Sequence, residues 1–206
     1  MNKISVQDIK VSVKDMLMVL HDMGSSAEES VSSIQTALIY NKTMPLEDCK
    51  TRIERIKKQE GLLKSRFAEI TSEDPGVEKY AEVHGHISKI AEDLGKLSDL
   101  ADKKIRENIL FSDRAANESM FLLQRLTEIL RPATDMILAR NIFLCKYVQT
   151  SQSDLSKMAD EYATLHEERL IKGECQPVAS SLYIGMLDMI KRIAWHAREI
   201  TLKLSE

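Results

Sequence analysis

The side chains able to do chemistry are few and scattered. Glu82 and His86 lie four residues apart, which on a helix puts both on one face, while His84 between them points elsewhere. Glu92, Asp93 and Asp99 follow along the same stretch. A second set, Asp160, His166, Glu167 and Glu168, could face His196 across neighbouring helices. Carboxylates and imidazoles are what a divalent cation needs, provided several converge. One helix supplies two or three converging ligands at most, and the Glu-x-x-His spacing of di-iron bundles is absent. Solvated helix faces carrying intrahelical ion pairs are the simpler reading of both sets. His196 reads as a cap or packing residue, and Trp195, the single tryptophan, as a core or interface residue.

Nucleophilic catalysis finds less support. Cys49 follows Glu47 and Asp48 near a helix start, a setting that could lower a thiol pKa, but no histidine is close in sequence. Cys145, in NIFLCKYV, reads as core; Cys175, in GECQP, lies in a loop. Three widely spaced cysteines make neither a zinc spacing nor a disulfide framework, which points to a reducing compartment. There is no glycine-rich phosphate loop and no dinucleotide fingerprint. The expectation is a protein that is not an enzyme and carries no cofactor.

The elements that position these residues are helices. Among 206 residues, 43% are hydrophobic and 30% charged, with only 7 glycines, 4 prolines and 5% aromatics, a mixture that helices tolerate and sandwiches or barrels do not. A net charge of -3 and a pI near 6.0 argue against a nucleic-acid partner. No window approaches the roughly 20 apolar residues of a membrane span, and MNKISVQDIKVSVKD lacks the apolar core of a signal peptide, so no direct membrane insertion is expected.

Six helical segments emerge from steps of three and four. The first runs from about Ile9 to Tyr40, burying Val13, Met16, Leu20, Met23, Ala27, Val31, Ile34 and Leu38. The second runs from Pro45 to about Ile70 and the third from Pro75 to about Arg106. A fourth is expected over Asp113–Tyr147, kinked or split at Pro132, with Phe121, Ile142 and Leu144 on its apolar face. A fifth begins after TSQS with Ser153 as N-cap and closes at Gly173, and a sixth opens at Pro177. The ten methionines read mainly as gap fillers between helices. The ends of helices three and six look alike at an offset of 96: Lys96 matches Arg192, Leu97 matches Ile193, Asp99 matches Trp195 and Ala101 matches Ala197. The resulting expectation is an all-α fold of two tandem three-helix bundles, residues 1–106 and 107–206, built from long antiparallel helices.

Over residues 153–200, SDLSKMADEYATLHEERLIKGECQPVASSLYIGMLDMIKRIAWHAREI, the chain resembles the PhoU family of phosphate-uptake regulators. The nearest flavour is the PhoU-like domain that follows the membrane part of bacterial sodium/phosphate cotransporters. The family's final helix carries Glu-Arg-Ile-x-Asp-His-Ala; here Lys191, Arg192, Ile193, Ala194, Trp195, His196 and Ala197 stand in those places, and Gly95 to Ala101 in the first unit. The resemblance implies three-helix repeats and a role in phosphate signalling or transport control through protein partners. Several members are similar in carrying iron or other metal clusters on acidic patches. Each such acidic pair here has lost at least one acid: Lys191 and Trp195, Ser156 before Asp160, and Lys64 after Glu60.

The expected function is thus a regulatory or accessory helical domain, with a metal-binding or metal-sensing bundle as the alternative. Its expected partner is a membrane phosphate transporter or signalling component, with a homodimer as a further option. Its expected location is the cytoplasm, including the cytoplasmic face of the membrane through a partner or a fused transporter segment. Asp160, His166, Arg192 and His196 are the candidate partner-binding residues.

Overall fold

The structure, a computed structural model, describes residues 6–71 and 77–205, with side chains described from Val13 to Phe67 and from Val77 onward. Six helices account for almost all of it: α1 Val6–Tyr40, α2 Met44–Thr71, α3 Glu78–Arg106, α4 Asp113–Ala139, α5 Ile142–Ile171 and α6 Pro177–Ser205. No strand occurs among the described residues. The expected opening at Pro75 and the side chain of Ile70 lie outside them.

The turns show why the chain reverses where it does. α1 ends at Asn41 in the left-handed region (φ 50°), and α3 ends before Asn108 (φ 53°), the residue type that tolerates this conformation best after glycine. α5 closes with a Schellman motif: the Gly173 N–H donates to the Leu170 carbonyl at 3.0 Å and the Glu174 N–H to the Arg169 carbonyl at 2.9 Å, with Gly173 at φ 75°.

The expected boundary between helices four and five is corrected. α4 runs through Pro132 without dividing and stops at Arg140, which adopts φ 48°. Asn141 then caps α5, its side chain accepting from the Phe143 N–H at 3.0 Å. Ser153 lies inside α5, not at its start. With the turn at Arg140–Asn141, Ile142 sits at an exposed hairpin tip and not on a buried face, and Phe121 is also exposed.

Opposed pairs show that neighbouring helices are antiparallel. Asp22 meets Arg55 and Glu29 meets Arg52 between α1 and α2. His21 meets Asp135 and Glu28 meets Arg131 between α1 and α4. Glu82 meets Lys203, Asp93 meets Arg192, and Leu100 lies against Gly185 between α3 and α6. The contacts fall into two sets, α1–α2–α3 and α4–α5–α6, joined by α3 on α6 and α1 on α4. We propose that these sets are two units, 1–106 and 107–206. One apolar core runs through both, with Met16, Leu20, Met23 and Ile34 from α1, Ile87, Ile90, Leu94 and Leu97 from α3, and Met186, Ile190 and Ile193 from α6. Burial of Met16, Met23 and Met186 fits their gap-filling reading, while Met18 faces solvent.

α1 and α4 approach closely at a glycine. A Cβ added to Gly24 would lie 2.5 Å from Thr134 Oγ1 and 2.8 Å from its Cγ2. Thr134 is buried, and its β-branched side chain has few rotamers to choose from. Gly24→Ala should therefore destabilise the protein by about 1–3 kcal/mol despite its better helix propensity. The double variant with Thr134→Ala should recover most of the loss in urea unfolding; an unaltered Gly24→Ala midpoint would contradict the close approach.

Candidate functional site

The seam between α3 and α6 holds a buried carboxylate and a pair of imidazoles. Asp93 is 0% exposed. Its two carboxylate oxygens are both used: Oδ1 accepts from Lys96 Nζ one turn along α3 at 3.0 Å, and Oδ2 accepts from Arg192 Nε across the seam at 2.9 Å. The two cations lie half in solvent and roof the carboxylate. A buried charge of this kind is stable only while paired.

About two turns along α3 and one along α6, His86 Nδ1 and His196 Nδ1 stand 3.0 Å apart. One ring must donate and the other accept, so at least one imidazole is neutral. Burial, then the neighbouring His86, pushes His196 down to about 4, and burial also lowers His86. Trp195 sets its ring edgewise against both imidazoles, with centroids 5.9 Å from His86 and 4.9 Å from His196, yet remains 44% exposed. It is a surface residue braced by the seam, not a core filler. On the flank toward α5, Lys191 Nζ donates to Asp160 Oδ1 at 2.8 Å and lies 3.6 Å from Asp188.

A second network closes the α4–α5–α6 set near the start of α4. Arg169 grips Glu118 with two bonds, at 3.0 and 2.8 Å, and the Tyr183 hydroxyl donates to the same carboxylate at 2.5 Å. Burial and that carboxylate hold the Tyr183 phenol far above its usual range. The His166 ring lies against Tyr183 at 4.5 Å and its Nε2 meets Ser180 Oγ at 2.8 Å. Burial, then Arg169, lowers the His166 pKa.

The four candidate residues therefore divide. Asp160 meets Lys191 on the α5 side of α6, while Arg192 and His196, one turn apart on α6, meet Asp93 and His86 of α3. His166 is only 2% exposed and meets α6 at Ser180, sixteen residues or roughly 24 Å from His196 along the helix. Sequence reasoning passed over Glu118 and His86 as partners, since the residues they meet lie 51 and 110 positions away. At Cys49 the helix-start setting that could lower a thiol does not prevail: burial raises its pKa.

The residues present do not fit the metal clusters that the resemblance implies. An ammonium, Lys191, occupies a glutamate's place and neutralises Asp160; an indole, Trp195, occupies an aspartate's place. Glu92 is taken by Lys89 at 3.0 Å. Among the described residues, no three His, Cys, Asp or Glu side chains are grouped so as to hold an ion.

Two sets of three antiparallel helices sharing one core, sealed by a charged seam, define an all-α bundle of a particular class. The fold is that of PhoU. The crystal structure of PhoU from Pseudomonas aeruginosa superposes with a TM-score of 0.80 at 16% identity, over 95% of this chain and 96% of that one. PhoU from Streptococcus pneumoniae, a phosphate transport system regulatory protein, gives 0.68 at 13% identity over 95% and 94%. A PhoU-like protein from Shewanella oneidensis MR-1 gives 0.63 at 14% identity over 92% and 97%. No protein-family model matches the sequence, and no curated protein does.

Two predictions follow from the buried groups. His84, His86, His166 and His196 all have folded pKa values below the ordinary histidine range, each mainly through burial. The unfolded chain then binds more protons than the folded one, so stability should be fully present above about pH 6.5 and fall as pH drops toward 4. Urea midpoints measured between about pH 7.5 and about pH 4.5 should show this slope, and His196→Gln should flatten it. Arg169→Met strands Glu118 beneath Tyr183 and should cost about 3–5 kcal/mol, whereas Arg169→Met with Glu118→Leu should cost clearly less in the same assay.

Proposed function

We propose that this chain is a non-enzymatic regulatory or accessory domain that controls phosphate transport or phosphate signalling through protein–protein contacts. The observation that carries the reading is the superposition on PhoU across nearly the full length of both chains. No helix among the described residues is long and apolar enough to cross a membrane, so the action on a transporter is through contact. The location we propose is the cytoplasmic face of the membrane, beside a transporter or signalling component or joined to one.

The contact surface we propose is the outer rim of the seam: Asp160 from α5, and Arg192 and His196 from α6, with Trp195 added by the structure. An exposed tryptophan flanked by arginine is the residue pair that most often dominates binding energy. Here both are held in place beforehand. Arg192 is fixed by Asp93 and Trp195 by two imidazoles, so association would order few side chains. His166 is too buried to join this surface as a contact.

The test is phosphate uptake in cells with and without the chain. Uptake under phosphate-replete conditions should change when the chain is absent. Trp195→Ala should reproduce that change while leaving the far-ultraviolet circular dichroism intact, and should weaken binding to the partner by about 2 kcal/mol or more. Uptake indifferent to the chain would end the reading.

A further inference from the structure

A cavity of about 210 Å³ opens at the α5–α6 turn, where the starts of α4 and α6 meet; Phe111, Ser112, His166, Cys175, Gln176 and Tyr183 are on its wall. Of the three cysteines, Cys49 and Cys145 are buried, and only Cys175 is partly exposed. The Cys175 Sγ lies 4.0 Å from His166 Nδ1.

The hydrogen bonds around His166 decide which nitrogen can serve the thiol. Ser180 Oγ donates its proton to the Gln176 carbonyl at 3.3 Å. With its proton so placed it is an acceptor toward His166 Nε2, 2.8 Å away, and we assign the ring proton to that nitrogen. The Nδ1 lone pair is left facing the thiol. The neutral ring that this requires is also the form that burial favours. A base held by a third group beside a sulfur is the arrangement that activates a nucleophile.

A second buried group points the same way. Arg169 binds Glu118 through both terminal nitrogens, but its Nε has no hydrogen-bond partner, and Cys175 is close enough to favour the charged guanidinium. A buried cation beside a partly exposed sulfur is the kind of electropositive surrounding in which reactive cysteines sit. An open cavity, an oriented imidazole and a buried cation thus converge on one partly exposed sulfur.

We propose that Cys175 is a redox modification site whose substrate is a small hydroperoxide. His166 Nδ1 accepts the thiol proton. The thiolate sulfur attacks the outer oxygen of the peroxide, an S–O bond forms and the O–O bond breaks. The leaving oxygen departs with the bonding pair and takes the proton back from the imidazolium. Sulfur is oxidised to a sulfenic acid and the hydroperoxide is reduced to water or an alcohol. Cys49 and Cys145 are both buried, so the chain offers no accessible second thiol, and the sulfenic acid is resolved by an external thiol, forming a mixed disulfide and releasing water.

The experiment treats the intact folded protein with hydrogen peroxide in the presence of a sulfenic-acid-selective dione and reads each cysteine peptide by mass spectrometry. Labelling should fall on Cys175 and be at least about tenfold faster than at the same residue in the urea-unfolded chain. His166→Asn should remove that advantage. Ser180→Ala should reduce it, and Ser180→Thr, which keeps the hydroxyl, should restore it. If His166→Asn does not fold, the two Ser180 variants carry the comparison. Equal rates in the folded and unfolded chain would overturn the proposal, as would unchanged labelling of folded His166→Asn or, where that variant does not fold, of Ser180→Ala.

Discussion

A carboxylate with no access to water governs how the halves of this molecule meet. Asp93 lies in the α3–α6 seam and is held by Lys96 from its own helix and Arg192 from the other. Apolar contacts on either side of it are non-directional and would tolerate sliding. The ion pair does not: a shift of one residue moves Arg192 by about 1.5 Å along the helix and about 100° around it, which strands the charge. The register fixed there places His86 opposite His196 and Glu82 opposite Lys203 farther along the seam. Trp195 owes its exposed position to the same alignment.

The seam also bears on the similarity between the ends of α3 and α6. At an offset of 96, Lys96 and Arg192 are equivalent, and both bind Asp93. The counterpart of Asp93 is Met189, a partly buried apolar residue. Two cations matched by that offset therefore share one carboxylate, where a strictly repeated sequence would bury two. One buried charge costs less desolvation than two, so departure from symmetry at this point favours the paired fold. Leu97 with Ile193, and Ala101 with Ala197, keep the symmetry because apolar packing makes no such demand.

Periodicity and punctuation made much of the fold legible in the sequence. The apolar stripe assigned to α1, the ends at Tyr40 and Arg106, and the Gly173 cap all rest on local rules, and local rules survive tertiary packing. The α4–α5 turn was missed because neither glycine nor proline marks it: Arg140 takes a left-handed conformation that its side chain does not advertise, and Asn141, not Ser153, supplies the cap. Phe121 and Ile142 fit an apolar period without being buried, since period reports a face and not what covers it. The site was less legible. Asp160, Arg192 and His196 could be named from their types, but Asp93 and His86 acquire meaning only from residues about a hundred positions away.

The fold is preserved at low identity while the residues of the seam follow chemistry of their own. Sixteen per cent identity is enough to keep the helices in place because apolar side chains of similar volume can replace one another. A cation site has no such latitude; replacing one carboxylate by an ammonium inverts the local charge. Lys191 does this, and its pairing with Asp160 turns a would-be ligand into a cross-helix strut. The strut joins α5 to α6 as Arg192 joins α6 to α3, so the three helices behind Trp195 are tied by charge where a bound ion could have tied them. A surface braced in this way is held by the protein's own charges, Lys191 with Asp160 and Arg192 with Asp93.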